Sequence, residues 1–537
     1  MLDSSAIHLT THDGQCKELP VASGLTLAQA IFLAGLWEGV PLCAGMGKCG
    51  LCRVRFTSPA PDPATEEISR LGGEAVAEGW RLSCLHPARP CAIELPAPKR
   101  SAKARSTTTS ASTAQDHTSG PLQLAVDLGT TSIHWAALRG GKTSTTGQGL
   151  NPQMGLGSEV MARLSFAQQP GGADILADLV LERLRGLVRQ IETEHGRAID
   201  QLGLAGNSAM TYLALRLPTA GLARAPYRLG YTGGDQQHLA PDLPPALIPP
   251  LLSPFVGADL SAGMAALHYA PEGPPAYPYL LADLGTNGEF VLALSPSEHL
   301  LASVPMGPAL EGVGLRHGRT AAPGAVRSYT LTPAGLTPEF VERPPLPGQT
   351  GSEEEAGITG VGYLSLAAAL LRAGVLDESG RFVVPATPLG RRIATGLTQD
   401  PTTGEQTLRL PGGQLFPASD VEELVKVKAA FNLALSRLLA EANLAPSQLT
   451  AVCLAGAMGE HVDPADLATL GFLPGALVPT VRRSGNTSLA GARLLLCNPA
   501  AWEWVLSLPA HCRALDLATD PSFGSLYVER MVLRHVA

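Results

Sequence analysis

Apolar and polar positions alternate with period two in Ile7–Thr10 and again in Cys16–Val21, which predicts two short strands. The following run, SGLTLAQAIFLAG, changes to helical spacing. Leu27, Ile31 and Ala34 share one face, and Thr26 stands where an N-cap belongs. RVRF from Arg53 and CAIEL from Cys91 return to strand patterning. Two strands, a helix, a loop and further strands predict a β-grasp domain over residues 1–96.

From Leu122 onward the patterning repeats at a larger scale. LQLAVDLGTTSIHWAAL (122–138) and YLLADLGTNGEFVLAL (279–294) share one layout: apolar strand, Asp-Leu-Gly-Thr turn, apolar strand. Between them, DILADLVLERLRGLVRQIE (174–192) sets Leu176, Val180, Leu184, Leu187 and Ile191 at helical spacing. Later, ASDVEELVKVKAAFNLALSRLLAEANL predicts a long amphipathic helix opened by a capping box of Ser419 and Glu422. LTAVCLAGAMGEH (449–461) predicts a strand ending in a glycine-rich turn. Residues 122–537 are therefore expected to form a two-lobed α/β body. The lobes divide at about 122–278 and 279–537, with a nucleotide-sized cleft between them.

Residues 97–121, APKRSAKARSTTTSASTAQDHTSGP, are rich in Ser, Thr, Ala and Pro and carry almost nothing to bury. That composition predicts a flexible linker. Formal net charge is −8 with no dense basic block, which argues against nucleic acid as a partner. No run of 18 apolar residues occurs, and the first residues carry neither the basic nor the apolar stretch of a secretory signal. A cytoplasmic protein with no membrane partner is expected. Nine cysteines in 537 residues do not make a disulfide scaffold.

Three of the nine crowd into PLCAGMGKCGLCRVRF. Cys43, Cys49 and Cys52 are spaced C-x5-C-x2-C, and Cys84 follows downstream. A [2Fe–2S] cluster needs four thiolates, commonly three on one loop and one from a distant strand, and this loop is one residue longer than the plant-type spacing. Gly45, Gly47 and Gly50 suit a loop that turns through positive φ and points N–H groups at sulfur. Structural zinc is the alternative, but Cys84 has only Cys91 near it where zinc sites usually use two close pairs. Cys16, Cys91, Cys453, Cys497 and Cys512 are expected to pack as small apolar residues.

An Asp-Leu-Gly-Thr turn between strands exposes N–H and hydroxyl groups that can cradle phosphate, with the Asp holding a hydrated Mg²⁺. Two such turns in matching contexts strengthen that reading, and LAGAMGEH (454–461) adds a turn where adenine can lie against backbone. Asn207, Ser208 and Asn486 are read either as cleft residues or as plain turn and cap residues.

In these segments the body resembles the superfamily of acetate and sugar kinases, Hsp70 and actin. Asp127, Gly129, Thr130 and Thr131 match its first phosphate loop. Asp283, Gly285, Thr286 and Asn287 match the second, and Gly456, Ala457 and Gly459 match the adenosine turn. With a ferredoxin-like head in front, the chain resembles the reductive activators of corrinoid proteins. LAGNSAMTYL (204–213), PFVGADLSAGMAAL (254–267), MGPALEGVGLRHG (306–318), LVKVKAAFNLAL (424–435) and SGNTSLAGARLLL (484–496) carry that likeness over most of the body. SVPMGPALEG and ITGVGYLS (358–365) depart from the family pattern, the latter placing Tyr363 beside an active-site turn.

The resemblance implies an ATP-dependent iron–sulfur reductase (an ATPase) that returns a corrinoid protein of a methyltransferase system from cobalt(II) to cobalt(I). Cys43, Cys49, Cys52 and Cys84 would hold the cluster. Asp127 and Asp283 would hold Mg-ATP. Glu289 is read either as orienting a water for hydrolysis or as a solvated strand end, and Glu311 either as binding ribose hydroxyls or as capping a helix. The partners implied are the corrinoid protein, a low-potential electron donor and a second copy in a homodimer. The rival readings are an ATP-dependent donor to another low-potential enzyme, and a small-molecule kinase whose ferredoxin head senses redox state.

Overall fold

A computed structural model describes residues 6–21, 24–37, 40, 42–43, 45–97, 120–311, 314–319, 321, 323–341, 357–401, 404–459, 461–517 and 519–536. Residues 98–119, nearly all of the expected linker, lie outside the described residues.

The head contains β1 (Ala6–Thr10), β2 (Cys16–Pro20), α1 (Leu27–Leu33), β3 (Arg53–Phe56), α2 (Thr65–Leu71), α3 (Gly73–Ala77), β4 (Trp80–Leu82) and β5 (Cys91–Glu94). Its sheet runs β2-β1-β5-β3-β4, with β1 and β5 parallel at its centre. This is the expected β-grasp arrangement. Thr26 caps α1 in a capping box with Gln29, as the sequence predicted, and Leu27 and Ile31 enter the head core beside Ile7, Leu9, Val54 and Ile93.

The first lobe builds β6 (Leu122–Leu128), β7 (Ser132–Arg139), β8 (Lys142–Leu150), α4 (Val160–Ala167), α5 (Gly172–His195), β9 (Gln201–Gly206), α6 (Ser208–Ala214), α7 (Ala220–Ala223), β10 (Asp235–Gln237), β11 (Ala246–Ile248) and α8 (Ala258–His268). The second begins with β12 (Tyr279–Leu284), β13 (Asn287–Ser295) and β14 (Glu298–Pro305). A two-stranded ribbon of β15 (Val326–Thr332) and β16 (Gly335–Phe340) follows, then α9 (Gly360–Arg372) and α10 (Pro388–Ala394). Next come a small sheet of β17 (Leu397–Gln399), β18 (Gln406–Arg409) and β19 (Leu415–Pro417), and α11 (Ala418–Glu441). The chain closes with β20 (Ala451–Ala455), α12 (Gly456–Gly459), α13 (Pro464–Leu470), β21 (Val481–Gly485), α14 (Thr487–Cys497), α15 (Pro499–His511), β22 (Cys512–Ala514) and α16 (Phe523–Glu529).

The repeat seen in sequence is a repeat of topology. The two large sheets run β10-β11-β9-β6-β7-β8 and β21-β20-β12-β13-β14-β22. In each, the strand bearing the Asp pairs antiparallel with its hairpin partner and parallel with the strand that follows a long helix. Those helices, α5 and α11, are both 24 residues long. β6, buried at every position, reads as a continuous apolar run because both faces of its sheet are covered.

Local expectations fail in three places. Ser419 does not cap α11: β19 runs straight into the helix, Pro417 is the N-cap without a side-chain bond, and Ser419 sits in the first turn. The glycine-rich turn after β20 closes as one helical turn, α12. Cys453 alone of the five remaining cysteines is core. Cys16 lies exposed on the edge strand β2, Cys497 is exposed at the end of α14, and Cys91 and Cys512 are half-buried.

A seam joins the lobes. α14, from the end of the chain, packs on α8 and on β9 and β6 of the first sheet. Ala125 and Ala205 meet Ala262, Ala492 and Leu495 in one buried cluster with Leu281 and Val291 of the second sheet. The helices approach at Gly491, where a Cβ would lie 1.9 Å from the Ala262 carbonyl oxygen. Gly491→Val is expected to wedge them apart at a cost of about 1–3 kcal/mol. Because α14 begins at the cleft, the variant should show both a lower thermal midpoint and weaker nucleotide binding in calorimetry.

Candidate functional site

Two sites emerge. In the head, Cys43, Cys49 and Cys52 come from the loop between α1 and β3, and Cys84 from the 3-10 turn Ser83–Leu85 after β4. All four are buried free thiols around one cavity. Gly45, Gly47 and Gly50 take φ of +102°, +69° and +70°, the left-handed region that favours glycine. The turns bring the Leu51 N–H to 3.4 Å from the Cys49 sulfur. Ser83 ties the distant ligand to the loop, its hydroxyl donating to the Cys52 carbonyl at 2.6 Å.

The thiols are arranged as two pairs, Cys43 with Cys49 and Cys52 with Cys84, each joined by a hydrogen bond. Cys43 is lowered to about 6 by the Cys49 hydrogen bond and by surrounding backbone N–H groups, while Cys49 and Cys52 are held high as the donors. Four sulfurs this close cannot all ionise without positive charge among them. Among the described residues no three His, Cys, Asp or Glu side chains converge as a single ion requires. Two thiol pairs across a cavity fit two irons, two thiolates each, better than one zinc.

Glu67 of α2 organises the fourth ligand. Fully buried, it accepts from the Ala64 N–H at 2.8 Å, from the Leu82 N–H just before Ser83, and pairs with His86 at 2.9 Å. Burial alone would raise its carboxyl, but these hydrogen bonds outweigh it and hold the carboxyl below 4.5. A depressed folded value stabilises the fold above the ordinary value and loses that contribution as pH falls through the folded one. Glu67→Gln is therefore expected to cost about 1.5–3 kcal/mol near pH 7. In urea titrations the gap from wild type should close as the pH drops below 4.5.

The second site is the interlobe cleft, a cavity of about 90 Å³. Both Asp-Leu-Gly-Thr hairpins line it, and their tips touch: the Thr131 and Thr286 hydroxyls lie 2.8 Å apart. Asp127 receives hydrogen bonds from Asn486 at 2.7 Å and Ser488 at 2.9 Å, both at the N-terminus of α14. Asn207, the N-cap of α6, donates to the Thr130 hydroxyl at 2.9 Å. Asn207 and Asn486 are thus caps and cleft residues at once, whereas Ser208 gives its hydroxyl to the Ser253 carbonyl.

Asp127, Asp283, Glu289, Gly129, Thr130, Thr131, Gly285, Thr286, Asn287, Glu311 and Gly456 all line the cleft, and Ala457 and Gly459 complete the α12 turn behind it. Gly456 is required there: φ is +79°, and a Cβ would stand 2.4 Å from the Asp283 carboxylate. Glu311 lines the same cleft. Its carboxylate accepts from the Thr286 hydroxyl at 2.6 Å, placing it at the meeting of the two hairpins. Tyr363 is displaced from the site the sequence suggested. It is fully buried in α9, with its hydroxyl accepting the His317 N–H at 3.0 Å and its ring against Phe416.

Four lining residues had no counterpart in the sequence reading: Ser132, His134, Asp259 and Ser488. Strand register explains His134. It faces Asp127 across the first hairpin, as Glu289 faces Asp283 across the second. The repeat itself was a signal for that position. Burial pushes Asp283 up to about 8 and Asp259 to about 7, with neighbouring carboxylates adding to it, and raises Glu289 and Glu311 as well.

Beneath the first hairpin lies Arg163, fully buried and lowered to about 9 by that burial. It donates to the Thr130 carbonyl, to Gly157 O at 2.8 Å and to Gln153 Oε1 at 3.0 Å. Arg163→Met would leave these acceptors unpaired. We expect the ATP dissociation constant to rise at least about tenfold, roughly 1.4 kcal/mol, with the visible spectrum of the head unchanged.

Comparison with known proteins agrees with both sites. Residues 278–537 match the family described as the C-terminal domain of RACo, the ASKHA domain. Residues 122–270 match the RACo middle region, and 10–89 the 2Fe-2S iron-sulfur cluster binding domain. The chain is 28% identical to the corrinoid activation enzyme RamQ of Eubacterium limosum over 75% of this chain and 69% of that protein. It is 27% identical to a Methanosarcina barkeri enzyme described as the Co(II) methylated amine-specific corrinoid protein reductase, over 69% of each chain. A solved structure entitled reductive activator for corrinoid, iron-sulfur protein shares its fold, with TM-score 0.67, 22% identity and 98% of both chains covered. Two adjoining RACo regions behind a 2Fe-2S head, in the order this structure displays, place the chain in the RACo family of reductive activators of corrinoid proteins.

Proposed function

We propose that this protein performs the ATP-dependent reductive activation of a corrinoid protein, delivering one electron to cobalt(II) and so regenerating cobalt(I). The observation that carries the reading is the coexistence in one chain of paired buried thiols and a carboxylate-lined cleft with two phosphate hairpins. When bound, a [2Fe–2S] cluster supplies a one-electron carrier near −400 mV. The chain's own residues do the rest. Cys43, Cys49, Cys52 and Cys84 hold the carrier, and the left-handed glycines aim backbone N–H groups at its sulfurs.

In the body, Gly129–Thr131 and Gly285–Asn287 would receive the phosphates, and Asp127 and Asp283 would hold Mg²⁺. Gly456, Ala457 and Gly459 flank the adenosine. Asp283 and Glu289 sit among like charges, which favours the proton over the anion until a cation enters. Beside a bound Mg²⁺, Asp283 and Glu289 would be favoured as carboxylates, and Glu289 would orient a water. Glu311 holds Thr286 in place. A low-potential protein is the natural electron donor, the acceptor belongs to a methyltransferase system, and assembly as a homodimer is part of the same reading.

The test is anaerobic. Reduced full-length protein is mixed with a cobalt(II) corrinoid protein and followed in the visible spectrum with and without Mg-ATP. Cobalt(I) is expected only with Mg-ATP. Cys84→Ser should lose the cluster absorption and all transfer. Asp283→Asn should keep the absorption and lose transfer by at least about a hundredfold, roughly 2.7 kcal/mol. Phosphoryl transfer to an added metabolite, with no cobalt(I) from any corrinoid partner, would overturn the reading.

A further inference from the structure

The head is seated on the body, and it touches both lobes. The ring of Phe32, on α1, packs against the core of the first lobe. It fills the space over Gly155 so closely that a Cβ at that glycine would lie 2.3 Å from the ring. Gly155 also closes one side of the thiol cavity, so the body covers that side of the ligand loop. On the second lobe the anchor is Arg70. Its Nη2 donates to the Cys49 carbonyl at 2.8 Å and to the Arg316 carbonyl at 3.2 Å, joining the ligand loop directly to the body. Lys48, in the same loop, pairs with Glu423 of α11.

Each anchor stands one step from a phosphate hairpin. Gly155 belongs to the turn Met154–Leu156, and the preceding Gln153 is bonded to Arg163, which holds the Thr130 carbonyl. Arg316 follows shortly after Glu311, which holds the Thr286 hydroxyl. Seating the head therefore requires a particular spacing between the lobes, and nucleotide bound between the hairpins acts on that spacing.

We propose that this face of the body is a dock for the chain's own iron–sulfur head, and that ATP, by drawing the lobes together, releases it. In the docked position the ligand loop is turned to Gly155 and Arg316. Release frees that surface for an electron donor or the corrinoid protein, and rebinding returns it. Arg70 is then a positioning residue, linking the ligand loop to the lobe whose movement it reads. The inference rests on the ATP-dependent function proposed above.

Small-angle scattering of the cluster-loaded full chain tests it, without nucleotide and with a saturating non-hydrolysable ATP analogue, saturation being checked by calorimetry. Three variants are compared with wild type. Gly155→Leu expels the Phe32 ring from the body side, Phe32→Ser removes it from the head side, and Arg70→Met cuts the second-lobe anchor. Oligomeric state is read from the forward scattering of each sample.

Wild type without nucleotide is expected to have a radius of gyration several ångström below that of Gly155→Leu and Phe32→Ser. The analogue should move wild type to the variants' value and leave theirs unchanged, with Arg70→Met between. A wild type as extended as the variants before nucleotide is added, or one whose radius ignores the bound analogue, would overturn the dock. Because no turnover is involved, either result leaves the cobalt-reducing function standing. An analogue that does not bind at all overturns both. Gly155→Leu and Phe32→Ser act from opposite sides, so misfolding of one leaves the other to decide.

Discussion

Thr131 and Thr286 meet hydroxyl to hydroxyl across the cleft, 155 residues apart in sequence. Around that contact each lobe contributes the same hairpin from the same sheet position, and each carries its Asp toward the shared space. The consequence is electrostatic. Asp127, Asp259, Asp283, Glu289 and Glu311 face one partly enclosed volume, with His134 among them. Burial, with like charges adjoining, favours the neutral forms of Asp259, Asp283, Glu289 and Glu311 there.

The lobes are not independent bodies that happen to adjoin. The chain's last third returns to the first sheet through α14, and its N-terminal residues Asn486 and Ser488 hold Asp127 from outside its own lobe. The small residues of the seam, Ala125, Ala205, Ala262 and Ala492, let helices and sheets approach closely. A close-packed seam has few available arrangements, which turns a small change at the cleft into a movement of whole elements.

The two chemistries lie in separately folded parts with separate cores. A thiol cavity needs a tight loop of left-handed turns held by a small sheet. A phosphate cleft needs two large lobes whose facing surfaces can separate. Neither architecture contains the other, so the chain carries both and joins them by contact at Phe32, Arg70 and Lys48. That the ligand loop itself supplies one of those contacts, Lys48, and is hydrogen-bonded to another, Arg70, brings electron carriage and nucleotide binding within mechanical reach of each other.

Much of this was legible before folding. Cys43, Cys49, Cys52 and the interspersed glycines encode a local loop, and local spacing is what sequence displays best. The paired Asp-Leu-Gly-Thr hairpins and the periodicity of α5 and α11 were equally visible, because strand and helix periods depend on near neighbours. Ser419 misled for the same reason: its pattern was right, but the strand entering α11 left Pro417 at the cap. The places of Asp259, Ser488 and Arg163, the hydrogen bond of Glu311 to Thr286, and the withdrawal of Tyr363 into the core belong to tertiary structure. Each depends on segments far apart in the chain arriving at one place, and no local period records that meeting. Sequence by itself determined which chemistries this protein holds; the packing of its lobes decided which residues share the cleft and where the head rests.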